Sequence, residues 1–188
     1  MTSAGTTPQR SDAQRNREKV LEAATAELTR DPEVPLSVIA KRAGVGQGTF
    51  YRNFPNRETL VLEVYQREVR QVVSSASTLL EELAPDAALR EWMNRLAAFA
   101  MVKSGLAEAF DQAGRPTGDA NPAYVMVRDT VETLLAANRE AGTIRADITT
   151  GDFLLAIAGI WQIDPAGDWR SQAARLLDLV MAGLRAPA

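Results

Sequence analysis

Residues 36–60 of the chain read LSVIAKRAGVGQGTFYRNFPNRETL, a pattern typical of two short helices joined by a glycine turn. In the first half, apolar residues recur at helical spacing and predict one packed face: Leu36, Ile39, Ala40 and Ala43. Gly44 can adopt the left-handed backbone conformation that ends a helix, after which the chain can fold back onto its core. The sequence therefore predicts a sharp turn between two helices.

The second helix, from Gln47 to Phe54, is predicted to have one buried face and one free face. Phe50 and Phe54 lie four residues apart and would pack together. The other positions are small, polar or basic: Gln47, Gly48, Thr49, Tyr51, Arg52 and Asn53. Because a helix of this length fits the major groove of DNA, the pattern predicts a DNA-reading element.

Two side chains of this helix are candidates for base recognition. Gln47 can pair with adenine and Arg52 with guanine, and each good pair contributes roughly 1–3 kcal/mol of discrimination. Gly48 has no side chain, which would let the helix approach the groove floor closely. The alternative, a tolerant early helix position with no role at DNA, stays open.

Three further side chains are candidates for the DNA backbone. Thr49 and Tyr51 carry hydroxyl groups that can donate to phosphate oxygens, and Arg57 begins the following helix, where a cation would meet the backbone. Such contacts position a protein without reading sequence. The Tyr51 ring can also pack on the small helical core while its hydroxyl stays in water, which is compatible with a phosphate contact.

These residues resemble the N-terminal signature of the TetR-type bacterial transcriptional regulators. That signature is an isoleucine-alanine pair, then AGV, then T-x-Y-x-H/N-F, then K/R-E. The matching segments are Ile39-Ala40, Ala43-Gly44-Val45, Thr49 to Phe54, and Arg57-Glu58. The resemblance covers residues 15–65 in detail and the rest only as a general layout of helices. Two positions depart from the family: Pro35 stands where a threonine is common, and Asn53 replaces the commoner histidine.

The resemblance implies that Gln47, Gly48 and Arg52 approach bases and that Thr49, Tyr51 and Arg57 touch phosphates. Ser37, early in the preceding helix, is an additional candidate. The complete predicted DNA-binding set is Ser37, Gln47, Gly48, Thr49, Tyr51, Arg52, Asn53 and Arg57.

The composition limits the chemistry open to the chain. It has 188 residues, of which 46% are hydrophobic, with no cysteine and no histidine. Disulfides, zinc fingers, thiol nucleophiles and histidine-based acid–base catalysis are thereby excluded. An enzyme would have to use carboxylates such as Glu91, Glu108 or Asp111, and no paired-acid or metal-ligand spacing favours this. We therefore expect no catalytic residue, cofactor or metal, and keep as a further alternative an interaction scaffold whose helix-turn-helix no longer binds DNA.

Charge is distributed unevenly along the chain. The formal net charge is -3, yet residues 1–60 hold nine lysines or arginines against seven acidic residues, and residues 61–188 hold twelve against seventeen. Basic residues thus concentrate around the predicted reading element. No apolar run reaches the roughly 18 residues needed to cross a bilayer, and the N-terminus lacks the apolar core of a signal peptide. We expect a cytoplasmic protein without a membrane partner.

The predicted organisation is all-α, with about nine helices. Residues 1–13 are interpreted as a disordered tail, 14–60 as the helix-turn-helix domain and 61–188 as a larger helical body. The predicted helices outside the reading element are Ala13 to Arg30, a connecting helix after Asn56 to about Leu83, 86–103, a short one holding Phe110, 122–141, 151–163 and 169–184.

The family resemblance implies an effector cavity in the body, and aromatic residues there suit a small apolar ligand. The predicted lining is Trp92, Leu96, Phe99, Phe110, Tyr124, Arg128 and Trp161. Arg128 or Lys103 would supply a polar anchor. The alternative for each apolar residue is an ordinary place in the core.

Wide apolar stripes on the last two helices predict a partner helix pair. The candidate interface residues are Leu154, Ile157, Ala158, Leu177, Val180, Met181 and Leu184. The resemblance implies a symmetric four-helix dimer interface here. Such a dimer would place its two helix-turn-helix domains roughly 34–36 Å apart, which is the length of one turn of DNA. The expectation is a homodimeric repressor that binds a palindromic operator and is released by a small-molecule effector.

Overall fold

The computed structural model describes residues 8–31, 33–105 and 122–186. Within those ranges the chain forms eight α-helices and one 3-10 helix and no β-strand, which confirms the all-α prediction. The α-helices are α1 Pro8–Arg30, α2 Leu36–Arg42, α3 Gln47–Asn53, α4 Arg57–Glu82, α5 Pro85–Gly105, α6 Pro122–Glu140, α7 Thr150–Ile157 and α8 Trp169–Leu184, and the 3-10 helix is Ala158–Gln162. None of these helices combines the length and hydropathy needed to cross a membrane.

The described residues form two compact units. The first runs to Arg67, and the second comprises Glu68 to Ser104 and the residues from Pro122 onward. Helix α4 belongs to both, because its first eleven residues lie in one unit and the rest in the other. The boundary thus falls within a continuous helix rather than in a linker.

The core of the first unit is built from the apolar stripes of its four helices. Helix α1 buries the residues that its helical spacing predicts, Val20, Leu21, Ala24 and Leu28. Helix α2 adds Ile39 and Ala40, and α3 adds Phe50, all without exposed surface. The first turns of α4 close the core with Leu60, Val61 and Val64.

Helix α1 begins at Pro8, earlier than the predicted start at Ala13. Residues 8–13, which we assigned to an irregular tail, are therefore helical, and residues 1–7 lie outside the described part. Proline fits the first turn of a helix because its fixed φ is helical and its missing N–H has no intrahelical acceptor there. Because this segment lacks an apolar stripe, hydrophobic periodicity did not predict that it is helical.

The two helices before and after the 3-10 segment begin with side-chain caps. The Thr149 hydroxyl accepts from the Asp152 N–H at 3.1 Å, and the Asp152 carboxylate accepts from the Thr149 N–H at 3.0 Å, which together form a capping box at the start of α7. Asp168 caps α8 by accepting from the Ser171 N–H at 3.3 Å. Hydrogen bonds from the side chain and backbone of Thr149 lower the pKa of Asp152, and those from Ser171 lower the pKa of Asp168.

The predicted helix 151–163 is interrupted. Helix α7 ends at Ile157, and Ala158–Gln162 continues as a 3-10 helix. Tight 3-10 turns are common at helix ends. Here Gly159 lies against α8, since a β-carbon built on it would come within 3.3 Å of a Leu176 methyl carbon.

A buried amide joins three segments of the second unit. Asn138, which has no exposed surface, donates from Nδ2 to the Pro85 carbonyl at 2.8 Å and to the Leu134 carbonyl at 2.9 Å. Its Oδ1 accepts from the Thr143 hydroxyl at 2.7 Å. These bonds fix the end of α6 to the start of α5 and to the loop after α6.

Candidate nucleic-acid interface

The turn between α2 and α3 has the predicted geometry. Gly44 has a φ of +67°, in the left-handed region that favours glycine. The Gly44 N–H donates to the Lys41 carbonyl and the Val45 N–H to the Ala40 carbonyl, both at 3.1 Å. This pair of bonds closes the end of α2 and directs the chain into α3.

The inner face of α3 is aromatic. Phe50 and Phe54 are both fully buried, with ring centroids 5.6 Å apart. The guanidinium of Arg17, on α1, lies 5.1 Å from the centroid of the Phe54 ring. Burial of Phe50 and Phe54 sets the rotation of α3 about its axis, so its remaining side chains face solvent.

Five neighbouring residues of α3 form what we call the reading face, and all five are exposed: Gln47, Gly48, Thr49, Tyr51 and Arg52. Tyr51 has 42% of its surface exposed, and its ring meets that of Phe50 edge to face with centroids 5.3 Å apart. The ring thus packs while the residue remains accessible, as the sequence suggested. A β-carbon built on Gly48 would meet no atom within 4 Å, so the fold does not require a glycine there.

Two predicted DNA-binding residues have partners within the protein. The Asn53 side-chain amide donates to the Thr49 carbonyl at 2.8 Å and so helps to close the end of α3. The half-buried Arg57 donates from Nη2 to the Val34 carbonyl in the α1–α2 connection. Sequence reasoning missed this second contact, because Val34 lies 23 residues before Arg57 and nothing in the spacing links them.

Helix α2 contributes an exposed Ser37 in its first turn. The neighbouring basic residues Lys41 and Arg42 are also exposed, and Arg42 forms an ion pair with Glu27 of α1 at 2.9 Å. This ion pair ties Arg42 to α1.

Ion pairs that no sequence motif indicated hold α4 to α1. Arg17 pairs with Glu63, and Glu18 accepts from Arg67 at 2.5 Å. Glu63 and Arg67 are one turn apart on α4, and their partners are adjacent on α1. Charged residues at that spacing usually indicate a solvated helix face, so sequence alone could not pair them.

The predicted ligand residues occupy different environments. Trp92, Leu96 and Phe99 are buried, and the Trp92 indole N–H donates to the Val72 carbonyl at 3.0 Å. Trp161 is 40% exposed and meets Phe99 edge to face, with centroids 6.0 Å apart.

The other predicted ligand residues do not converge on that pair in any contact described. Tyr124 is 39% exposed, and Arg128 forms an ion pair with the adjacent Asp129 at 3.1 Å. Phe110 lies outside the described residues, and the side chain of Lys103 is likewise not described. The ligand set therefore stays a prediction.

Most of the predicted interface residues are buried in the core of the chain itself. Ile157, Leu177, Val180 and Leu184 are buried, Leu154 and Met181 are half-buried, and Ala158 is exposed. The large apolar side chains that these helices do expose are Leu155, at 77%, and Leu179, at 71%. Between α7 and α8 lies an apolar groove of about 370 Å³ whose lining includes Phe153 and Leu179.

A short helix, a glycine turn and a second short helix with an exposed polar and basic face define a helix-turn-helix DNA-binding protein. Residues 20–64 match the model of bacterial regulatory proteins of the tetR family, and residues 84–186 match that of the C-terminal domain of SbtR-like transcriptional regulators. Proteins of curated function gave no match.

Solved structures extend the likeness over nearly the whole chain. A TetR transcriptional regulator from Streptomyces coelicolor, SCO0520, is 41% identical, with a TM-score of 0.81 over 92% of this chain and 99% of that one. A TetR transcription regulatory protein from Mycobacterium vanbaalenii is 35% identical, with a TM-score of 0.79 over 95% of this chain and 100% of that one. The chain therefore belongs to the TetR family of bacterial transcriptional regulators, which are DNA-binding proteins and not enzymes.

Proposed function

We propose that the chain is a cytoplasmic, homodimeric repressor that binds a palindromic operator and leaves it when a small-molecule effector binds the second unit. The observation that carries this proposal is the exposure of the reading face on α3 above a fully buried Phe50. Gln47 and Arg52 would contact bases, Thr49 and Tyr51 would contact phosphates, and Ser37 would add a contact from α2.

Selection from a random duplex library tests DNA recognition. We expect a palindrome whose half-sites are centred roughly 34–36 Å apart, because each subunit of a symmetric dimer reads one half-site. Arg52→Ala should relax base preference at one position in each half-site, by roughly 1–3 kcal/mol, while the melting temperature stays unchanged. Lys41→Ala serves as the matched control, since it removes a neighbouring cation from outside the reading face. Recovery of no common sequence would refute the proposal.

The dimer is supported by the exposed leucines of α7 and α8. Leu179 lines the groove between these helices and Leu155 is exposed on α7, and a second copy related by a twofold axis would cover this apolar surface. The buried residues Ile157, Leu177 and Leu184 would then act indirectly, by supporting the helices that carry the interface.

Light scattering on two variants tests this surface. Leu179→Glu should produce a monomer with much weaker operator binding, because a charge would be buried between the subunits. Leu62→Glu, which changes an exposed leucine of α4, should leave the dimer intact. A dimer that survives Leu155→Glu and Leu179→Glu together would place the interface elsewhere.

Release by a small molecule is supported by relatives of the same fold. LfrR from Mycobacterium smegmatis, which is 20% identical with a TM-score of 0.61, was crystallised in complex with proflavine. At that identity the likeness is one of fold. Trp161, which is exposed beside Phe99, is a part of the predicted lining that a ligand could reach.

Native mass spectrometry of the purified protein tests for a retained ligand, and tryptophan fluorescence locates its site. Addition of the released compound should quench fluorescence in the wild type and in Trp169→Phe but not in Trp161→Phe. It should also dissociate the operator complex. Binding that leaves operator affinity unchanged would contradict regulation by release.

A further inference from the structure

We propose that Arg57 is a positioning residue of the DNA-binding unit, which fixes the α1–α2 connection to the start of α4 instead of contacting a DNA phosphate. This inference rests on the proposed function, because it assigns a role in operator binding. It departs from the prediction made for Arg57 from sequence.

The geometry begins with the place of Arg57 in the chain. It is the first residue of α4, it is half-buried, and its guanidinium donates to the Val34 carbonyl. Val34 itself is 5% exposed, and its N–H donates to the Asp31 carbonyl at 3.1 Å. One arm of the guanidinium therefore points into the first unit, toward the carbonyl of a buried residue.

That connection sets the start of α2. Pro35 follows Val34 directly and is the N-cap residue of α2, and its carbonyl accepts from the Val38 N–H at 2.9 Å. Proline offers no side-chain hydrogen bond, so α2 lacks the local cap that a serine or threonine would give. The position of the Val34 carbonyl therefore sets where α2 begins. Because the Gly44 turn joins α2 directly to α3, the placement of α3 depends on it as well.

The described ion pairs between α4 and the rest of the unit reach α1. Arg17 pairs with Glu63 and Glu18 with Arg67, two and three turns further along α4. These pairs hold two long helices side by side but do not touch the segment before α2. Arg57 does contact the segment before α2, through its hydrogen bond to Val34. It therefore links the placement of the reading face to α4, the helix that runs into the second unit.

The salt dependence of operator binding separates a positioning role from a phosphate contact. Loss of a phosphate contact lowers the slope of log affinity against log salt by about 0.9, whereas loss of a positioning bond lowers affinity equally at every salt concentration. We expect Arg57→Met to weaken binding about tenfold across roughly 50–200 mM salt with an unchanged slope. Arg57→Lys, which keeps a donor, should recover most of the lost affinity.

Hydrogen exchange of the full-length protein without DNA gives a second readout. Arg57→Met should speed exchange of the amides of residues 36–42, because the start of α2 loses its tie. Arg52→Met, which removes an exposed arginine from the reading face, is the matched control and should leave this exchange unchanged.

Two results would overturn the proposal. The first is a slope reduced by about 0.9 in Arg57→Met together with unchanged exchange in α2, which would identify a phosphate contact. The second is unchanged exchange with unchanged affinity. If the wild-type chain binds no DNA, the proposed function fails, and the exchange experiment alone still decides whether Arg57 positions α2.

Discussion

The short helices of the first unit and those at the C-terminal end of the second begin in different ways. Helices α2 and α3 start at Pro35 and Gly46, neither of which makes a side-chain cap hydrogen bond. Helices α7 and α8 start at Thr149 and Asp168, whose side chains both accept from the backbone of the first turn. The seven-residue helices that carry the candidate DNA-binding residues therefore lack the local closure that α7 and α8 possess.

The difference shows where each pair of helices obtains its stability. An isolated helix of seven residues is unstable in water, so α2 and α3 depend on tertiary contacts. Those contacts include the burial of Ile39, Phe50 and Phe54 and the hydrogen bond from Arg57. Helices α7 and α8 add local capping, worth about 1 kcal/mol for each cap, to their own core packing.

The largest expected effect tests the dependence of α3 on its core. Phe50→Ala should destabilise the first unit by about 3–5 kcal/mol, because Phe50 is fully buried between short helices. Amide exchange across α2 and α3 should accelerate and operator binding should be lost. Phe153→Ala, at an equally buried site of α7, is the matched variant and should leave exchange in α2 and α3 unaltered. Slow amide exchange in α3 of the Phe50→Ala variant would contradict the conclusion that α3 depends on tertiary contacts.

A smaller effect tests the capped pair. Thr149→Ala removes the capping box of α7 and should cost about 1 kcal/mol in urea denaturation. Thr133→Ala is the control, because that exposed threonine lies within α6, where its hydroxyl donates to the Asp129 carbonyl at 3.0 Å. An equal loss in both variants would mean that the cap itself contributes nothing measurable.

At Gly48, the stability of α3 and the affinity for DNA should respond in opposite directions to one substitution. Gly48→Ala should stabilise α3 by about 0.5–1 kcal/mol, since alanine loses less backbone entropy and its methyl group would meet nothing within 4 Å. If the helix approaches the groove floor closely, operator affinity should fall at the same time. Thermal melting and fluorescence anisotropy measure the two quantities. Unchanged affinity would favour the alternative of a tolerant helix position.

The smallest expected effect is a pH dependence of the capped helices. Because hydrogen bonds lower the pKa of Asp152 and of Asp168 in the folded state, their contribution to stability is present above the ordinary aspartate value of roughly pH 4. This contribution to stability is lost as the pH falls through the lowered pKa values of the two aspartates in the folded state. Asp152→Asn should therefore flatten the decline in unfolding free energy between about pH 5 and pH 2. A decline identical to that of the wild type would contradict this assignment.

Local features of the chain were predictable because their partners are close in sequence. The Gly44 turn, the Phe50 and Phe54 pair and the Thr149–Asp152 capping box each involve residues within five positions of one another, where backbone geometry fixes the distance. The all-α fold and the buried stripe of α1 follow from the same regularity.

Features that depend on distant partners could not be predicted. An apolar residue looks the same in a sequence whether it lines a pocket, fills the core or faces a second subunit. Trp92 and Leu177, predicted for the ligand and the dimer, are accordingly core residues in the described structure, while Leu155 and Leu179 carry the exposed apolar surface. The hydrogen bond from Arg57 to Val34 also depends on distant partners, because only folding of the first unit brings these two residues together.

The buried amide of Asn138 bears on how the second unit avoids misfolded arrangements. A packing of α5 against α6 displaced by one helical turn would shift the Pro85 carbonyl by about 5.4 Å and leave the amide without that acceptor. Such an unsatisfied buried group costs about 1–3 kcal/mol, whereas buried apolar side chains, which have no hydrogen bonds to lose, would tolerate the displaced register far better. A single polar side chain thus discriminates between alternative registers that hydrophobic burial alone would leave nearly equal in energy.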